Sequence, residues 1–193
     1  MRRLTILLMA FTLVALTLVP LTQAADSSTV PEKKQTTLGL YVTAKEAFEM
    51  WHKTPETVNI LDCRTPEEYN FVGHATMAVN IPSKFMTYEF DAEKKHYKMK
   101  DNPDFVAMVE KVFAKDATIM IMCRSGARSA ASVNKLAEAG YTQVYNIIDG
   151  FEGDKVSDDA SYYKGQRLVN GWKNSGAPWG YGLAENQVYK VAP

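Results

Sequence analysis

Residues 118–129 read Thr-Ile-Met-Ile-Met-Cys-Arg-Ser-Gly-Ala-Arg-Ser, and this stretch restricts the fold most tightly. The run Thr118–Met122 is short, apolar and β-branched at Ile119 and Ile121, the pattern of a fully buried strand. Cys123 stands at its carboxyl end. Arg124–Arg128 forms a short loop, and from Ser129 the pattern turns helical, with Ala130, Val133 and Ala137 on one face, Leu136 beside them and Gly140 as the stop. A cysteine therefore sits where a parallel strand ends and a helix begins, the crevice where open α/β sheets bind ligands. Loop N–H groups, the helix N-terminus and the two arginines favour thiolate over thiol there.

Spacing narrows the chemistry. Arg128 lies five positions after Cys123. A tyrosine-phosphatase loop carries its arginine one position later, usually with a histidine before the cysteine; here Ser129 takes that place and Met122 precedes Cys123. The shorter loop resembles the active-site loop of the rhodaneses, the sulfurtransferases, whose single-domain members carry Cys-Arg-Ser-Gly-x-Arg-Ser. A buried structural cysteine in a βα turn is the competing reading, and the paired arginines with Ser125-Gly126 between them argue against it.

A second, independent segment carries the same resemblance. Val58–Cys63 reads as a strand, followed by Arg64, Glu68, Tyr69, Gly73-His74 and Ala78-x-Asn80-Ile81-Pro82. It is similar to the rhodanese pattern Asp-x-Arg-x-x-x-Glu-Tyr, Gly-His-Ile, Ala-x-Asn-Ile-Pro. It departs at Ala75 and at Cys63, which places a second thiol near the sheet's carboxyl edge. Asp62 and Arg64 are read either as a structural ion pair or with Arg64 turned toward the anion site. His74 is read as a turn residue held by backbone, since persulfide chemistry needs no base once the thiolate exists. Asp149-Gly150 resembles the Gly-Gly that follows the family's last strand, with Asp149 in an altered place. Trp172, Gly176 and Pro178 resemble the end of its last helix.

Composition bounds the rest. The 193 residues are 46% hydrophobic and 23% charged with zero formal net charge, ordinary globular usage without a footprint for nucleic acid. Two cysteines exclude a disulfide framework and a multi-cysteine zinc site, and His52, His74 and His96 lack metal-like spacing. Arg2-Arg3, the uncharged run Leu4–Val19, Pro20 and Thr22-Gln23-Ala24 read as a secretory signal cleaved after Ala24 rather than an uncleaved anchor. Residues 25–37 read as a polar leader, 38–180 as the domain and 181–193 as a tail without a motif.

Along the domain, Thr43-Ala44-Lys45-Glu46 is a capping box opening a helix that turns Ala47, Phe48 and Trp51 inward. Residues 83–101 and 153–170 read as insertions, the first a loop over the active face, a partner-binding insertion or a surface excursion with aromatic anchors. Asn102-Pro103 starts a helix with Phe105, Met108, Val109, Val112 and Phe113 buried. Short buried strands alternating with amphipathic helices argue an α/β parallel sheet covered on both faces. The resemblance implies the rhodanese fold, a doubly wound sheet of about five strands.

The resemblance also implies a sulfurtransferase. Cys123 takes a sulfane sulfur from thiosulfate or a related small anionic donor, becomes a persulfide and hands it to cyanide, a thiol or a protein cysteine. Arg124, Ser125, Gly126, Ala127 and Arg128 hold the anion, with Arg64 counted beside them. No metal or organic cofactor is implied. Two rivals stand: a polysulfide or persulfide carrier without fast turnover, and a phosphatase or arsenate reductase. The expected location is the periplasm, with the mature protein not embedded in a membrane. Cys63 is expected buried and reduced, a disulfide to Cys123 being the alternative.

Overall fold

The computed structural model describes residues 29–190. The expected signal, Met1–Ala24, lies outside them. A single 3-10 turn, Glu32–Lys34, leads to β1 (Tyr41–Val42) and α1 (Ala44–Lys53), then β2 (Val58–Asp62) and α2 (Pro66–Phe71). Two short strands follow, β3 (His74–Ala75) and β4 (Val79–Asn80), then a ribbon of β5 (Lys84–Asp91) and β6 (His96–Asp101). Helix α3 (Phe105–Val112), β7 (Thr118–Met122), α4 (Ala127–Glu138) and β8 (Val144–Ile147) complete the layers. A small pair, β9 (Asp154–Lys155) and β10 (Arg167–Val169), and finally β11 (Trp179–Gly180) follow.

The central sheet has five strands in the order β1-β8-β7-β2-β4, all parallel. Alternation along each strand splits the core in two. Val58, Ile60, Met120, Met122 and Ile147 face α1 and α2, where Ala47, Tyr69 and Trp172 close the layer. Leu61, Ile119, Ile121 and Val144 face α3 and α4 through Phe105, Val109, Val133 and Leu136. Both faces are therefore covered, as a parallel sheet requires, and this is the expected fold. Among the described residues no helix is long and apolar enough to cross a membrane.

Local chemistry explains the helix starts. Thr43 Oγ1 accepts from the Glu46 N–H at 3.2 Å while Glu46 accepts from the Thr43 N–H at 2.7 Å, the expected capping box. Thr65 and Glu68 repeat it on α2, with Pro66 at the first position.

Several expectations need correction. Helix α3 begins at Phe105, not Pro103, because the Asn102 side chain accepts from the Asp104 N–H at 3.0 Å and holds a turn there. Val112 is 52% exposed rather than buried. The expected last helix is only a 3-10 turn, Trp172–Asn174, although Trp172 itself is fully buried. Within residues 29–37 the chain is anchored at two points: Val30 and Lys34 are buried, and the Lys34 carbonyl accepts from Asn146 Nδ2 at 2.9 Å. In the described part of the tail, residues 181–190, the Gln187 carbonyl accepts from the Asn80 N–H at 2.7 Å and Val188 packs on the core.

Candidate active site

Strand β7 is the middle strand of the sheet, so its carboxyl end is walled by β2 on one side and β8 on the other. Cys123 emerges there, 2% exposed. Gly126 caps α4 with φ +97°, a backbone conformation other residues resist, and its N–H donates to Cys123 Sγ at 3.2 Å. A Cβ at Gly126 would lie 2.2 Å from the Ile148 carbonyl, and one at Gly150 would lie 2.5 Å from the Cys123 carbonyl. The loop therefore rests directly on the turn after β8. The Phe151 and Glu152 N–H groups donate to the Cys123 and Arg124 carbonyls at 2.8 and 3.0 Å, which fixes the loop's peptide orientation from below.

Ser129 stands on the first turn of α4, 3.5 Å from Cys123 Sγ. Its hydroxyl has one proton. Asn146 Nδ2 donates to the Lys34 and Gly126 carbonyls, so Asn146 Oδ1 is the free acceptor and takes the Ser129 proton at 2.6 Å. Ser129 thus donates to Asn146 Oδ1, with its hydroxyl oxygen held 3.5 Å from Cys123 Sγ. Reading the sequence did not find Ser129 or Asn146 as site residues. Ser129 was visible only as the position after Arg128, and an asparagine within a strand carries no signal of its own.

The expected loop residues are brought together, but unequally. Arg124 is exposed at the mouth, with Ser125 and Ala127 half-buried behind it. Arg128 is not a free cation. Its two terminal nitrogens donate to both Glu68 carboxylate oxygens at 2.7 and 2.6 Å, a bidentate pair 17% exposed on each side. Burial pushes the Glu68 carboxyl up, and the Arg128 hydrogen bonds and charge more than offset it, leaving Glu68 below the usual carboxylate range. Glu68 is the third residue sequence reading missed, its role hidden in a helix cap.

Arg64 does not reach the anion site, contrary to its place among the donor-binding residues. It is fully buried, bonded through Nε and a terminal nitrogen to Asp62 at 2.6–3.0 Å and to the Gly73 carbonyl at 2.7 Å, and its guanidinium lies 4.1 Å from the Phe151 ring centre. Asp62 at the end of β2 claims it before any ligand does. The rest of that motif is scaffold as well. Asn80 Nδ2 bridges the Asp62 and Arg64 carbonyls at 3.0 Å. His74 stacks on Tyr69 at 3.8 Å, and its ring nitrogens lie 3.1 and 3.2 Å from the Tyr69 and Gly182 carbonyls. Asp149, buried, accepts from the Ala44 and Gly171 N–H groups at 2.7 and 2.8 Å and so ties α1 to the Trp172 turn.

Cys63 ends β2 as Cys123 ends β7, with Asp62 opposite Met122 in the register, and both thiols belong to one apolar cluster. Both are free and buried. Burial, then the neighbouring Cys123, push the Cys63 thiol far above the ordinary thiol range. Its low thiolate fraction makes it a core group rather than a second nucleophile.

Above the loop lies an open cavity of about 690 Å³. Arg124 and Arg128 form one wall, and the β5–β6 ribbon supplies the other through Met86, Phe90, Tyr97 and Met99. The segment 83–101 is therefore the lid-side wall of the site, not a detached excursion.

Comparison with known proteins agrees with this geometry. The family model described as "Rhodanese-like domain" matches residues 43–156. "Thiosulfate sulfurtransferase 16, chloroplastic" of Arabidopsis thaliana is 37% identical over 91 residues, 47% of this chain and 68% of its own length. The uncharacterised RP600 protein of Rickettsia prowazekii is 31% identical over 121 residues, 62% of this chain and 80% of its own. The crystal structure of Rv0390 from M. tuberculosis matches with a TM-score of 0.56 at 28% identity, covering 73% of this chain and 96% of that one.

Proposed function

This chain belongs to the rhodanese-like domain family, and on that premise we propose that it moves a sulfane sulfur through a persulfide on Cys123. The observation that carries the proposal is the Gly126 N–H at 3.2 Å from Cys123 Sγ, at the N-terminus of the 12-residue helix α4 beneath an open cavity. Backbone donors and a helix N-terminus favour negative charge on that sulfur and on the persulfide that replaces it.

The thiolate attacks the outer sulfur of thiosulfate or a related donor. A new S–S bond forms at Cys123, the donor's S–S bond breaks, and sulfite leaves with the electron pair. A thiol, cyanide or a protein cysteine then takes the outer sulfur and restores the thiolate. Arg124 draws the dianion in. Arg128, held by Glu68, shapes the wall and supplies local positive potential.

A carrier that hands persulfide only to a protein partner uses the same cradle. A phosphatase or arsenate reductase is disfavoured by the shorter loop, which leaves less room for a tetrahedral oxyanion. The test is mass spectrometry of protein incubated with thiosulfate and purified without reductant. One added sulfur on Cys123, absent in Cys123→Ser, is expected together with cyanide-dependent turnover. A persulfide released only to a protein acceptor selects the carrier. Thiosulfate turnover by Cys123→Ser at the wild-type rate, or hydrolysis of p-nitrophenyl phosphate without sulfur transfer, overturns the proposal. We also propose export to the periplasm with cleavage after Ala24; a fractionated cytoplasmic protein retaining Met1 refutes that.

A further inference from the structure

We infer that the β5–β6 ribbon and the Cys123 loop form a subsite for the organic body of an anionic organosulfur substrate, an aryl or extended alkyl group with its sulfur-bearing head at Cys123. This rests on the sulfur-transfer reading of the same site. Three observations carry it.

The first is size. A cavity of about 690 Å³ falls in the range that encloses drug-sized organic ligands, about 300–1,000 Å³. Thiosulfate or cyanide would leave most of it empty.

The second is the character of the wall. Met86 lies opposite Met99 in the ribbon's register, and Phe90 opposite Tyr97. All four side chains line the cavity, and the Phe90 and Tyr97 rings meet edge to face at 6.1 Å. Two stacked cross-strand pairs thus give one face of the ribbon to the cavity, while Tyr88 between them is 97% exposed elsewhere. Met99 Sδ lies 3.8 Å from a terminal nitrogen of Arg128, which sets this apolar face directly beside the active loop. Exposed apolar side chains gathered around a reactive centre mark a binding surface.

The third is charge. The lining holds no carboxylate, and its nitrogen-bearing side chains are Lys84, Lys95, His96, Arg124 and Arg128. On the ribbon's strands Glu89 pairs with Lys98 and Asp91 with Lys94. Lys84 and Arg128 are paired, with Asp101 and Glu68. Arg124 and Lys95 remain to meet an anionic head or a distal carboxylate. An apolar wall within a basic frame fits an amphiphilic anion better than an inorganic one.

The transfer balances for a thiosulfonate of this class. The Cys123 thiolate attacks the outer sulfur, its bond to the sulfonyl sulfur breaks, and a sulfinate leaves with the electron pair, so two anions give two anions.

The experiment compares benzenethiosulfonate with methanethiosulfonate, donors of equal charge that differ in their body. The wild-type protein is expected to prefer the aryl donor by about tenfold in kcat/KM, from burial of the ring. Phe90→Ala and Met99→Ala bring the ratio toward unity. Tyr88→Ala preserves it, and Phe90→Trp retains it, which separates loss of the wall from collapse of the ribbon. A binding arm stands apart from turnover. The Cys123→Ser protein is titrated with 1-naphthalenesulfonate and methanesulfonate by NMR, and binding of the aryl sulfonate alone, weakened by Phe90→Ala, is expected. No aryl preference in the wild type, or a preference that survives Phe90→Ala, overturns the subsite. Absence of turnover with every donor, while aryl binding persists, refutes persulfide chemistry and leaves the subsite standing.

Discussion

Replacing Glu68 by Gln tests the most consequential contact in the site. The carboxylate accepts two charge-assisted bonds from Arg128 at 2.7 and 2.6 Å and another from the Thr65 N–H at 3.1 Å. Glutamine keeps one acceptor but turns an NH₂ toward an Arg128 donor. Breaking a buried pair from one side costs about 3–5 kcal/mol, and exposed pairs are worth under about 1. With 17% exposure on each side, the pair sits near the buried limit, so the expected loss is about 2–3 kcal/mol. That corresponds to a fall in Tm of roughly 5–10 °C for a chain of this size. The pH dependence has a definite sign. The Glu68 carboxyl is held below its ordinary value when folded, so its contribution is fully present above an unfolded value of about 4.3 and is lost as pH falls through the folded value. Thermal melts of wild type and Glu68→Gln therefore converge in acid. A double-mutant cycle with Arg128→Ala should show the double variant less destabilised than the sum of the singles. A loss below about 0.5 kcal/mol at neutral pH, additive behaviour in the cycle, or a gap that does not narrow in acid refutes the reasoning.

Gly150→Ala drives a Cβ to within 2.5 Å of the Cys123 carbonyl, and the residue sits at φ +64°. Displacing the loop's N–H donors should lower kcat/KM for thiosulfate by about a hundredfold, the scale of losing one preorganised donor, while the protein remains folded by circular dichroism. Cys63→Ser puts a hydroxyl into an apolar cluster, with Ser132 as its partner. Denaturant titration should show a loss of about 1–2 kcal/mol, with a persulfide still forming on Cys123. Arg124→Ala should cut the specificity constant for thiosulfate about tenfold with little change in Tm, whereas Arg128→Ala should lose stability through the orphaned Glu68; steady-state kinetics and melts on both variants separate the two arginines.

The sheet and the place of Cys123 at its carboxyl edge were legible because each rests on a short run of residues. Ile119 and Ile121 announce a buried strand by themselves, and Cys123-Arg124-Ser125-Gly126 follows in the order a strand–loop–helix needs. The partners of that loop were not legible, because they come from elsewhere in the chain. Nothing around Glu68 says that its carboxylate reaches past its own helix cap to Arg128, or that Asn146 fixes the proton on Ser129. Arg64 was ambiguous because an arginine two residues after an aspartate suits an ion pair as well as an anion site, and only burial decided between them. The 83–101 segment lacks a strict period-two pattern. Its strands appear only once a register shift between Met86 and Phe90 lets both cross-strand pairs face the same cavity.

The pairing of Tyr41 and Val42 with Asn146 and Ile147 has a consequence for how the chain comes to be folded. Among the described residues, the first strand of this sheet finds its sheet neighbour in the last. During synthesis nearly the whole domain must leave the ribosome before β1 has anything to bond to, and closing so long a loop makes assembly slow. The β7–β8 and β2–β7 ladders, both nearer in sequence than β1–β8, close before it, with β1 added last. Asn146 lies on that final seam and also holds the Ser129 proton. The bonds that Asn146 makes to the Gly126 and Lys34 carbonyls are therefore completed only when this edge of the sheet closes, so the loop after Cys123 gains its last support at the end of folding.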